Sequence, residues 1–133
     1  MSEKKSKKKG SEFWWPDVSE PNGAMASAKA TQFIAYWIGG SYIVMAYFSG
    51  INSNYIIGTI CILFGIGIWR NLMWIVPIVS SIGLLEAAGK IVTVLSAGRV
   101  NGLIIGGIIL IVSIHGWRGW IALRAQSKID NSN

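Results

Sequence analysis

The sequence predicts an all-α protein, a four-helix antiparallel transmembrane bundle preceded by a disordered basic tail, and three observations lead there. Between residues 31 and 116 there are only four formal charges, Arg70, Glu86, Lys90 and Arg99, too few for a surface that faces water. Hydrophobic residues make up 52% of the 133 and the mean hydropathy is +0.48, so lipid has to cover much of the chain. The net charge of +6 is concentrated at one end, where Lys4, Lys5, Lys7, Lys8 and Lys9 crowd the first ten residues.

Residues 1–29 read as a polar cytoplasmic tail. Pro16, Pro21 and Gly23 interrupt any regular element there, and the lysine block suits a surface of anionic lipid headgroups. Phe13, Trp14 and Trp15 form an aromatic cluster beside it, expected to rest in the headgroup layer. The first apolar segment stands too far from the lysines for a cleaved signal, and it is expected to stay as an anchor.

Residues 30–123 read as the membrane domain. The first span covers 30–48, with Gly39 and Gly40 in its middle to permit close helix approach. A turn follows at 50–54, where Asn52, Ser53 and Asn54 are expected to cap the next helix. The second span, 55–69, is near the lower length limit, so it must extend into its flanks or stand upright. Arg70 and Asn71 make a tight connection to the third span, 72–96, in which Pro77 predicts a kink. A turn around Arg99 leads to the fourth span, 101–123, and 124–133 is a short charged tail. Such short connections predict that consecutive helices are antiparallel neighbours.

Charge asymmetry then orients the bundle. Lys29, Arg70, Arg118, Arg124, Lys128 and the N-terminal lysines fall on one side and Arg99 alone on the other, which puts both termini in the cytoplasm of a plasma or inner membrane. The aromatic residues agree: Trp14, Trp15, Trp69, Trp74, Trp117 and Trp120 mark the inner boundary, and Tyr47, Phe48 and Tyr55 the outer one.

Glu86 and Lys90 are the one candidate ion or proton site. Glutamate four residues ahead of lysine is the favourable order for a pair on one helical face, and with Leu72 at the inner boundary Glu86 sits roughly 21 Å along the rise, past the midplane. A charge at the centre of a span costs about 2.5–3.5 kcal/mol on insertion scales, so Glu86 must be paired, protonated or turned toward other helices. Mutual neutralisation, with Lys90 reaching outward, is the more economical use, because one carboxylate alone makes a poor relay. His115 is the single histidine and a further possible proton site, though near the inner interface it reads first as a hydrogen-bonding anchor; no second ligand completes a metal or haem site, and no cofactor is expected.

Small residues offer helix-packing strips. Gly98, Gly102 and Gly106 repeat every fourth residue into the fourth helix, and Gly83 and Ala87 provide a matching strip on the third. The nearest partner is internal, with homo-oligomerisation or docking on a larger membrane complex as the other use. Cys61 is a packing residue, and nothing resembles a nucleophilic, acid–base or phosphate-cradling centre. The expected function is therefore not enzymatic and involves no nucleic acid. It is that of a small polytopic accessory or assembly subunit acting through helix–helix and lipid contacts, the alternative being a small oligomeric ion- or proton-coupled transporter or channel that uses Glu86.

Overall fold

A proline opens the first helix. The computed structural model describes residues 15–98 and 100–133, and α1 runs from Pro21 to Ser49. The expected break at Pro21 and Gly23 is thus corrected: Pro21 sits in the first turn, where its missing N–H is no loss and its fixed φ already suits a helix. Gly23 is required because a Cβ there would strike the backbone carbonyl of Asp17. That carbonyl belongs to a turn in which Asp17 Oδ1 accepts from the Ser19 amide at 2.9 Å and the Ser19 hydroxyl at 2.7 Å, folding residues 17–20 back over the helix start. Lys4, Lys5, Lys7, Lys8, Lys9, Phe13, Trp14 and Arg99 lie outside the described residues.

Each later turn closes on one left-handed residue. Gly50 (φ 68°) ends α1 with its amide bonded to the Ala46 carbonyl at 2.8 Å. α2 then runs Asn52–Trp69, longer at its start than the apolar run alone. Its N-cap is Ile51 with no side-chain cap, so Asn52, Ser53 and Asn54 form the first turn instead of capping it. At the far end Asn71 (φ 67°) takes the position usually given to glycine: the Leu72 amide reaches the Gly67 carbonyl at 2.9 Å and the Asn71 amide reaches Ile68 at 3.0 Å, a Schellman closure. A short 3-10 turn, Met73–Ile75, leads into α3, Val76–Ala97. Pro77 falls in the first turn of α3, where it removes no hydrogen bond, so the expected mid-helix kink has no cause. Gly98 (φ 65°) closes α3 as Gly50 closes α1. α4 runs Asn101–Ser132, so the expected C-terminal tail is a continuation of the helix.

The four helices make an all-helical bundle with no strand among the described residues. α1 is its centre, with α2 on one side and α4 on the other, while α3 packs on α4 and more lightly on α1. The expectation that α2 and α3 are close neighbours is corrected: despite the tight connection they scarcely touch. The reason lies in their surfaces. α2 carries small residues at Gly58, Cys61 and Gly65 that fit α1, whereas α3 carries Ser80, Gly83 and Ala87 that fit α4 and α1, and the Asn71 turn with the 3-10 segment lets them part. α1 and α2 run antiparallel, as shown by Ile43 meeting Gly58 while Tyr36 meets Gly65, and so do α3 and α4, where Gly83 meets Ser113 and Val94 meets Gly102.

Three helices, Asn52–Trp69, Met73–Ala97 and Asn101–Ser132, are long and apolar enough to cross a membrane. α1, expected as a fourth span, is not among them. Gln32, Tyr36, Ser41 and Tyr42 dilute its apolar character, and its central position explains why that is tolerable: it buries Ser27, Thr31, Ile34, Ala35, Ile38 and Gly39 against other helices. At about 1.5 Å per residue the 32-residue α4 is roughly 48 Å long and outruns a hydrocarbon core of about 30 Å.

Asn71 tests this account of the turns. Asn71→Gly should leave the melting temperature in detergent unchanged or higher, and Asn71→Val should lower stability by about 1–2 kcal/mol, because a branched side chain resists the left-handed region. Equal melting of both variants would refute it.

Candidate functional site: a small-residue seam and a charge pair

Along the middle of the bundle, glycines and hydroxyl residues bring α1, α3 and α4 together. A Cβ built on Gly116 would collide with Thr31 Cγ2 and Ser80 Oγ, one on Gly83 with Ser113 Oγ, and one on Gly119 with the Ala28 amide and, at 2.6 Å, the Ala24 carbonyl. At Gly119 the approach is backbone against backbone, so no flexible side chain can give way. Ser27, Thr31, Ser80 and Ser113 are fully buried here. Thr31 donates to the Ala28 carbonyl and Ser113 to the Ile109 carbonyl, both at 2.7 Å, which returns these hydroxyls to their own helices. Ser27 Oγ and Ser80 Oγ find no such partner among the described residues and are held by packing.

A second seam joins α1 to α2. Gly39 and Gly58 face each other so closely that a Cβ on either would lie 2.8 Å from the other's carbonyl oxygen, and Gly65 receives the ring of Tyr36. Gly40 meets nothing within 4 Å, so of the two adjacent glycines only Gly39 serves the contact.

Gly83, Ala87, Gly102 and Gly106 all lie between α3 and α4. Gly106 faces Lys90 Cβ at 3.3 Å and the Ala87 carbonyl at 3.5 Å, and Gly102 faces Val94 Cγ2 at 2.9 Å. Gly98 stands apart from this strip: it is the left-handed cap of α3, and nothing lies within 4 Å of where its Cβ would be. Its four-residue spacing to Gly102 is therefore a coincidence of turn chemistry and helix packing.

Glu86 and Lys90 pair at 3.2 Å between Oε1 and Nζ, with 36% and 32% of their side chains exposed. They lie toward the edge of α3, and the absence of side chains at Gly102 and Gly106 is what lets α4 pass beside Lys90. Beyond them, at the mouth between α3 and α4, is a cavity of about 450 Å³. A smaller apolar groove of about 200 Å³ lies between α1 and α4, lined by Phe33, Trp37, Ile105, Ile108 and Val112 among others.

His115 is buried near the middle of α4, beside the seam residue Gly116. The edge of Trp15 packs on it with ring centroids 4.7 Å apart, and the Arg118 guanidinium lies 4.1 Å over the Trp15 ring. A cation over an indole contributes about 0.5–2 kcal/mol depending on its hydration. Gln126 Nε2 also approaches the carbonyls of Val18 and Ser19 at 3.4 and 3.3 Å. Trp15 thus docks on its own chain's α4 while 54% of its surface stays exposed. Among the described residues no three of His, Cys, Asp and Glu gather as a metal site.

Sequence reasoning missed the seam residues Ser27, Thr31, Ser80, Ser113, Gly116 and Gly119. The signal was present as small residues recurring every three or four positions, at 24, 27, 28, 31 and 35 on α1 and at 113, 116 and 119 on α4. It was hidden because the first of these fell in a segment read as tail. No protein family, curated protein or solved structure matches this chain.

Single-methyl insertions should sort the glycines. Gly116→Ala should lower stability by about 1–3 kcal/mol through overpacking, while Gly107→Ala, where nothing lies within 4 Å, should be neutral or stabilise by about 0.5–1 kcal/mol through helix propensity. Melting curves of the purified variants decide the matter, and equal shifts would contradict the seam.

Proposed function

We propose that this chain is a small polytopic integral membrane protein of a plasma or inner membrane, with both termini cytoplasmic, that serves as an accessory or assembly subunit through helix–helix and lipid contacts. One observation carries this reading: the interior is closed and the exterior is apolar. Between α1, α3 and α4 a single methyl group does not fit at Gly83, Gly116 or Gly119, so the bundle core offers structure in place of a passage. Outward, large apolar side chains such as Phe48, Leu85 and Leu95 stand 75–81% exposed and call for lipid or another subunit as cover.

Orientation follows from charge. Trp15, Val18 and Ser19 meet the C-terminal part of α4, so the described ends of the chain share one end of the bundle. Arg118, Arg124 and Lys128 belong to that end, where Trp117 meets Trp120 edge to face and Arg124 lies over Trp120. The positive-inside rule makes it cytoplasmic, and the lysine block of the tail adds attraction to anionic lipid there.

The transporter reading keeps one observation in its favour, the partial exposure of Glu86 and Lys90. Their direct pairing weighs against it, since a carboxylate already neutralised by its helix neighbour has little call to exchange ions.

Native mass spectrometry of the tagged chain, extracted gently from its own membrane, separates the two. A defined set of larger proteins should accompany it; a clean monomer or homodimer would overturn the subunit reading. Glu86→Gln should weaken that assembly, as expected of a structural pair, whereas lost ion or proton flux across reconstituted vesicles with intact assembly would favour the transporter.

A further inference from the structure

Lys29 and Arg118 stand at one level of the bundle. The Ala28 amide abuts Gly119 where α1 packs on α4, and the two cations are the residues next to that contact on either helix. Neither has an ion pair among the described residues, where Glu86 and Lys90 make the one salt bridge. Above them opens the groove of about 200 Å³ between α1 and α4, apolar along its whole lining. We propose that this groove holds an acyl chain of a cytoplasmic-leaflet phospholipid whose phosphate sits at its foot, on Lys29 and Arg118; this rests on the membrane reading above.

Helix spacing ties each cation to a wall of the groove. Lys29, Phe33 and Trp37 follow one another at four-residue intervals on α1, and Ile108, His115 and Arg118 fall at i, i+7 and i+10 on α4. Each stripe thus passes from apolar wall to cation without leaving its face. From Val112 to Arg118 the helix rises about 9 Å, and from Ile105 to Val112 about 10 Å more. A lipid with its phosphate on Arg118 therefore lays the deeper part of one chain along the groove.

Trp15 prepares the cation. The Arg118 guanidinium lies with its face 4.1 Å over the indole, a stacking that leaves the N–H groups along its edge to grip a phosphate. Its Nη1 has no hydrogen-bond partner among the described residues, so the group is not already spent. Trp15 itself is held edge-on by His115 and closes the foot of the groove. Lys29 adds a long stem that carries its ammonium to the headgroup level. Phe33 and Trp37, 67% and 53% exposed, leave the wall above open to hydrocarbon. A soluble anion would use the two cations alone, whereas a phosphodiester bearing acyl chains uses the cations and the wall together.

Photolabelling of the full chain tests the site. The protein is placed in a phosphate-free galactolipid bilayer doped with a phospholipid carrying a diazirine midway along one acyl chain, or with a diacylglycerol carrying the same diazirine, and adducts are mapped by peptide mass spectrometry. Phospholipid adducts should be enriched over residues 33–37 and 105–112, and diacylglycerol adducts should not. Enrichment should fall at least about tenfold in Lys29→Gln/Arg118→Gln, the loss of charge-assisted hydrogen bonds, and persist in Lys29→Arg. Lys29→Gln alone should lower it several-fold, which keeps the test open if loss of Arg118 unfolds the chain. Ile108→Trp, at an exposed wall position, should lower it with both cations intact by filling the groove. Enrichment that survives charge removal or groove filling, or that excess inorganic phosphate abolishes, overturns the proposal. Even labelling of all helices by both lipids overturns it while sparing the membrane reading; no labelling of any helix defeats both.

Discussion

The close approach of α1 to its neighbours is the constraint on which the rest of the structure depends. Apolar side chains gain nothing by leaving lipid for another apolar surface, so helices in a bilayer adhere where backbones can come near enough for dense dispersion contacts. This chain satisfies that condition twice, at Gly39 with Gly58 toward α2, and at Ala24, Ala28 and Thr31 with Gly116 and Gly119 toward α4. α3 joins through Gly83, Ser80 and Ala87, so its place is set by the α1–α4 seam more than by its short link to α2.

That constraint explains the unusual distribution of polarity. Four hydroxyl residues lie inside, where Ser27, Thr31, Ser80 and Ser113 are small enough for the seam and return their hydrogen bonds to their own helices or are packed against glycine. Large apolar residues are concentrated outside. The apolar run of α1 can therefore be more diluted than those of the other three helices, since neighbours cover one face of it.

Much of this was legible in the chain itself, because turn chemistry is local. Gly50, the Arg70–Asn71 pair and the residues around Arg99 punctuate long apolar runs, and each does end a helix or join two. The pairing of Glu86 with Lys90 follows equally directly from four-residue spacing. Less legible was whatever depends on neighbours distant in sequence. Pro21 and Gly23 look like breakers, yet one opens α1 and the other admits the Asp17 carbonyl. Connection length suggested α2 beside α3, but complementary small faces decided otherwise. Gly98 and Gly102 share a spacing and serve unrelated ends, one conformational and one steric. Trp15 reads as a free interfacial aromatic until Arg118 and His115 are seen beneath it.

The central place of α1 also has a meaning for biosynthesis. A chain made from its N-terminus offers α2 to α1 almost at once, so the Gly39–Gly58 contact has its partner early. The other face of α1, with Ser27 and Thr31, has to wait until Gly116 and Gly119 are made, some eighty-five residues after Thr31 by the numbering. During that interval the first hairpin leaves Ser27 and Thr31 uncovered on one face. Until the last helix arrives, that face of α1 has no cover from within the chain.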